Sequence, residues 1–176
     1  YISLIIGFFL NENLNYGSYY DWMSANLPPI KDFSTNFYDT LLSYEKYGHR
    51  HSPIYLIFLS FFLKLGLNFE IIRLIHLHLS LSLIFIFYQC LKLHFKEINK
   101  YTLQILAFVI FLSPTFRSLS IWPDSRLPGL IFFTISIYFF LKFLISLNYK
   151  YSWLCSISLI IASYISPNFS LFSIYF

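Results

Sequence analysis

Long stretches of this chain carry no formal charge, and short clusters of Lys and Arg separate them. Leu74 to Leu91 holds no Asp, Glu, Lys or Arg. Nor do Leu103 to Phe116, Leu127 to Leu141, or the residues after Lys150. With its flanks, each core approaches the ~20 residues with which a helix crosses ~30 Å of hydrocarbon. The pattern predicts helical spans over 71–91, 102–120, 128–147 and 152–170, plus a shorter apolar segment at 1–10. Helix is the conformation expected, because an isolated strand leaves its backbone unsatisfied in lipid.

The segment Ile54 to Leu65 is apolar but only 12 residues long, about 18 Å as a helix and too short to span. Pro53 opens it and Gly66 closes it, the usual start and stop signals. Ser60 and Lys64, four apart, give it one narrow polar edge. This predicts a helix lying in the plane of the interface.

Composition supports the same class. Of 176 residues, 57% are hydrophobic and 11% charged, against about 45–50% and about 25% in soluble domains. Aromatics reach 23%, and mean hydropathy is +0.64. Disordered, collagen-like and disulfide-scaffold classes are excluded. The expected architecture is all-α: a polytopic transmembrane bundle forming a single integral membrane domain over 1–176. The chain opens at Tyr1 and stops at Phe176 in apolar sequence, so the expectation is the N-terminal part of a longer membrane protein. A cleaved signal peptide is the rival reading of the start, and it lacks a charged n-region.

Charge sets a topology. The connector with Lys92, Lys96 and Lys100, and the later one with Lys142 and Lys150, fall on the cytoplasmic side by the positive-inside rule. A first loop (11–70) and a second loop (112–127) then lie outside, provided that 54–65 does not cross. Six of the eight acids lie in the first loop, which is too long for a plain connector. All four arginines, Arg50, Arg73, Arg117 and Arg126, fall on or near this outer side, while the inner connectors use Lys. Arg is the side chain suited to bidentate phosphate binding.

Three clusters could carry chemistry. The first is Tyr19-Tyr20-Asp21-Trp22, where a carboxylate near the interface can act as a base. The alternative is an ordinary loop Asp among interfacial aromatic anchors. The second is Tyr47-Gly48-His49-Arg50-His51-Ser52-Pro53, two His and an Arg ahead of a helix start, an arrangement that suits an anion. A solvated loop before a helix explains it equally, and His-x-His alone is a weak metal signal. The third is Ser113-Pro114, Arg117 and Trp122-Pro123-Asp124-Ser125-Arg126. Its prolines leave irregular backbone near membrane depth, where Asp124 and Arg126 are either functional or a structural ion pair capping the next span.

The remaining polar residues suggest less. His76 and His78 are two apart, so they do not share a helix face, and interhelical hydrogen bonds are the expected use. Cys90 and Cys155 form no disulfide or zinc pattern. No phosphate-binding glycine loop, nucleophile elbow, zinc-protease motif or 20–50 residue repeat occurs. The net charge of +4 follows from topology, and no basic patch interleaved with aromatics points to nucleic acid.

Taken in order, these motifs resemble the N-terminal half of the GT-C glycosyltransferases, the superfamily of protein O-mannosyltransferases and lipid A aminoarabinose transferases. The resemblance covers most of residues 1–146. It rests on Asp21, on His49-Arg50-His51-Ser52-Pro53 through Lys64-Leu65-Gly66, on Arg73, and on Ser113-Pro114 with Trp122-Pro123-Asp124-Ser125-Arg126. The bacterial lipopolysaccharide-core sugar transferases come nearest. The resemblance implies transfer of a sugar from a polyprenyl-phosphate donor to a glycan, lipid or protein acceptor on the periplasmic face of a bacterial inner membrane. Asp21 would be the catalytic base and Asp124 a second catalytic acid placing acceptor or sugar. His49, Arg50, His51, Arg117 and Arg126 would bind donor phosphate and substrate, with no metal ligand assigned. A single Asp21 followed by Trp22 departs from the Asp-Glu pair of the mannosyltransferases, which leaves a divalent cation open. The rival class is a transporter or flippase fragment, which would more often show repeats and charged or broken spans. A membrane scaffold without chemistry is the third reading.

Overall fold

A computed structural model describes residues 1–14 and 16–175, and among them every regular element is helical. The region predicted as the first outer loop is built of short helices. After α1 (Ile2–Phe9) come α2 (Tyr16–Tyr20), a widened π-helical turn (Asp21–Asn26), α3 (Leu27–Thr35) and α4 (Phe37–Leu42). A 3₁₀ turn (Tyr44–Tyr47) leads to Gly48, whose φ of 63° swings the chain into 49–53. Then comes α5 (Ile54–Lys64), 11 residues and about 17 Å long, too short to cross a bilayer. It ends as its sequence predicts. Gly66 has φ 84°, its N–H bonds Leu63 O, and the Leu67 N–H reaches back to Phe62 O.

Among the described residues, two helices are long and apolar enough to cross a membrane: α6 (Phe69–His94, 26 residues) and α9 (Arg126–Ser146, 21 residues). They contain the predicted spans 71–91 and 128–147 almost entirely. Asn68 caps α6 by accepting the Ile71 N–H at 2.9 Å. The two helices pack together, and α9 packs along α10 (Tyr149–Ile165) after a two-residue turn.

The predicted span 102–120 is not one helix. It divides into α7 (Lys100–Phe108), a 3₁₀ turn (Val109–Leu112) and α8 (Pro114–Ile121), bent by 70°. Pro114 is the reason. The residue before a proline is pushed out of the helical region, and Ser113 is extended at ψ 118°. Ser113 then caps α8, accepting the Phe116 N–H at 3.3 Å. Most of the predicted second outer loop is therefore helical.

The predicted span 152–170 also stops early. Pro167 forces Ser166 into an extended conformation, φ −139° and ψ 107°, and α10 closes at Ile165. Its 17 residues reach about 26 Å.

The core gathers Leu4 and Phe8 of α1, Trp22, Ile30, Leu56 and Leu59, Ile72 and Leu77, Ile121, Trp122 and Leu127. The short helices are thereby fixed onto the ends of α6 and α9. Elsewhere Phe85, Ile105, Phe108, Ile157 and Ile160 stay exposed, an apolar surface suited to lipid.

Candidate functional site

Two prolines shape the first wall of the site. Pro28 and Pro29 follow the turn Asp21–Asn26 and contribute no backbone N–H. The Leu27 N–H reaches five residues back, to Trp22 O, which widens the turn. Pro29 has no N–H for the Ala25 carbonyl four residues earlier, and that carbonyl accepts a hydrogen bond from His49 Nε2 at 2.8 Å. A carbonyl can only accept, so His49 carries its proton on Nε2. The ring also stacks on Tyr44, 5.8 Å between centroids and 11° apart. Asn26, buried, donates from Nδ2 to the Pro123 carbonyl at 3.0 Å. That bond ties the first wall to the second, which lies nearly 100 residues later in sequence.

Asp124 and Arg126 form the second wall at the start of α9. Asp124 Oδ1 accepts the Arg126 N–H at 2.7 Å and Arg126 Nε at 2.8 Å, and Oδ2 accepts Nη2 at 2.8 Å. The same Nη2 reaches Asp21 Oδ2 at 2.9 Å. One guanidinium thus joins carboxylates from two segments. Burial pushes the Asp124 carboxyl upward, but the hydrogen bonds and charge of Arg126 outweigh it and hold the group below its ordinary range. Its place at the N-terminus of a 21-residue helix favours the charged form too.

Asp21, His49, Arg50, His51, Asp124 and Arg126 line one cavity of about 280 Å³, together with Ala25, Asn26, Tyr47 and Gly48. Arg50 is exposed and has no ion pair among the described residues. His51 Nδ1 is buried without a hydrogen-bond partner. Burial lowers the His51 pKa, and Arg126 and His49 push the same way against the opposing pull of Asp124 and Asp21. Asp21 offers Oδ1, which has no partner among the described residues. The arrangement holds two carboxylates, two guanidinium groups and two imidazoles around a partly open space.

Arg117, placed with this set by sequence, lies elsewhere. It forms an ion pair with Glu12 at 2.5 Å and donates from Nη1 to Ser3 Oγ at 2.6 Å, fastening α8 to α1. It does not line the cavity, because α8 turns this face toward α1. Among the described residues no group of three His, Cys, Asp or Glu is arranged to hold a metal ion.

Sequence reading missed Asn26 and the role of Arg73. An Asn directly before Leu-Pro-Pro was a legible signal for a side chain serving irregular backbone. Arg73 is 3% exposed. Its guanidinium lies over Trp122 at 3.8 Å and over Phe8 at 4.8 Å, and its Nη1 bonds Glu70 at 3.0 Å. Nearby, Tyr55 hydroxyl bonds His76 Nδ1, and His76 Nε2 donates to Leu119 O at 2.7 Å. Leu119 stands four residues before Pro123, so its carbonyl, like that of Ala25, receives from a histidine what a proline withholds.

No protein-family model, no curated protein and no solved structure matches the chain.

Proposed function

We propose that this chain is a GT-C-type membrane glycosyltransferase, polytopic in a bacterial inner membrane, that moves a sugar from a polyprenyl-phosphate donor to an acceptor on the periplasmic side. The observation that carries this reading is the bridge Asp21–Arg126–Asp124 inside the cavity shared with His49, Arg50 and His51. Carboxylates and cations share one small volume at the start of α9, a helix apolar enough to span a membrane.

In this mechanism Asp21 takes the proton of the acceptor hydroxyl. The hydroxyl oxygen bonds the anomeric carbon from the face opposite the phosphate, and the carbon–oxygen bond to phosphate breaks. Polyprenyl phosphate leaves with the electron pair, and the stereochemistry inverts. Arg50 and Arg126 oppose the charge that grows on the leaving phosphate. The neutral His51, as its Nδ1–H tautomer, donates to a phosphate or sugar oxygen. Asp124 is a positioning residue: all three of its hydrogen bonds go to Arg126. Arg117 has no part in donor binding.

The test is transfer by the chain in lipid vesicles, with a polyprenyl-phosphate sugar as donor. Asp21→Asn is expected to abolish turnover, by about 10²–10⁴-fold for a lost general base, while the thermal midpoint stays within a few degrees. Full turnover in that variant overturns the assignment.

A further inference from the structure

The π-helical turn has a cavity on each side. Asp21 and Ala25 face the one already described. Trp22 and Met23, with Tyr19 of α2, line another, of about 490 Å³, together with Arg73, Trp122, Asn11, Asn13 and Glu70. This volume lies within the ~300–1,000 Å³ of small-molecule sites. Its walls are aromatic: Tyr19 meets Trp122 edge to face at 4.8 Å. Two of its lining residues each carry a buried polar atom without a hydrogen-bond partner among the described residues, Arg73 Nη2 and Asn13 Oδ1. One is a donor and the other an acceptor. A structure built only for stability would pair such atoms or remove them.

We propose that this second cavity binds a saccharide ring. A sugar hydroxyl both accepts and donates, so it answers Arg73 Nη2 and Asn13 Oδ1 alike. A phosphate diester or a carboxylate has no proton for Asn13 Oδ1, and Glu70 already neutralises the guanidinium at 3.0 Å. An acyl chain satisfies neither atom. The apolar C–H face of a pyranose packs on indole and phenol rings, which bury area at low entropic cost. The saccharide is the acceptor of the transfer, a step that rests on the transferase reading: the turn bearing Asp21 is the wall that the two cavities share. The binding itself does not depend on that reading.

The experiment is a titration of the full chain in lipid nanodiscs with the methyl glycosides of glucose, galactose, mannose and N-acetylglucosamine, and separately with inorganic phosphate. Trp22 and Trp122 report through their emission. At least one glycoside is expected to give a saturable shift in the millimolar range, weakened about tenfold by Asn13→Ala and by Arg73→Lys, the effect of one lost hydrogen bond. The proposal is overturned if no glycoside saturates, if only phosphate does, or if both variants bind like the parent chain. Asp21→Asn is expected to bind the glycoside as the parent does while losing transfer. Saturable glycoside binding without any transfer by the parent chain would support the cavity and overturn the transferase reading.

Discussion

Arg126 Nη2 stands 2.9 Å from Asp21 Oδ2 and 2.8 Å from Asp124 Oδ2, so one nitrogen holds together two segments 103 residues apart. The two acids are not equivalent. Asp124 is 6% exposed and spends both oxygens on Arg126, whereas Asp21 is open to the cavity through one oxygen.

Removing the guanidinium therefore harms Asp124 first. Arg126→Ala leaves a buried carboxylate without its partner and is expected to cost about 1–3 kcal/mol. Arg126→Ala with Asp124→Asn is expected to lose less than the sum of the two single changes, because the stranded charge is gone. Thermal unfolding of the four proteins in one detergent measures the coupling.

Acid is expected to act in two windows. The half-buried His51 has a pKa below its ordinary 6.5, so the unfolded chain takes up its proton first. Stability contributed by neutral His51 is complete above pH 6.5 and falls as pH drops toward the lower folded value. Asp124, depressed below 3.8, contributes stability that is complete above that value and is lost as pH falls through the folded pKa. Unfolding midpoints taken from pH 8 to 3 show both steps. His51→Gln removes the upper one and Asp124→Asn the lower one.

Arg117 and Arg50 are expected to separate in kinetics. Arg117→Ala breaks the pair with Glu12, whose side chains are 15% and 19% exposed, and loosens α1 from α8. Its signature is a lower thermal midpoint with little change in donor KM. Arg50→Ala, with no ion pair to lose, is expected to raise donor KM about tenfold and leave the midpoint unchanged. The opposite pattern would return Arg117 to the phosphate site.

Tyr55→Phe is expected to destabilise by about 1–3 kcal/mol although it removes a single oxygen. His76, 1% exposed, would keep its bond to Leu119 O and lose the one on Nδ1. Adding His76→Leu to Tyr55→Phe does not restore stability, because the Leu119 carbonyl then loses its donor. Denaturant midpoints of the single and double variants check this.

Much of this molecule is written locally. The charge-free runs mark α6 and α9 because a long apolar stretch has few alternatives to helix. Pro53 and Gly66 mark α5 because proline fixes φ at the helix start and glycine accepts the positive φ that ends it. The same rule was available at Ser113-Pro114 and Ser166-Pro167, where hydropathy runs on and the helix does not. The meeting of Asp21 with Asp124 is not local, and residue type alone marks the two clusters. The π-helical turn left no periodic trace, since one extra residue per turn over six residues is below what hydrophobic spacing resolves. Arg117 went astray for a related reason: side-chain type names a cation, and only packing names its partner.

The pairing of proline with histidine has a consequence for how α6 can vary. Arg73 and His76 are polar residues in the first half of this helix, and replacing both with leucine would make a better apolar segment for any insertion machinery. It would also strip Ile121 O and Leu119 O of their donors, at the end of α8 where Pro123 supplies none. A hydropathy-guided redesign of this helix would thus yield a chain that inserts more readily and folds less well.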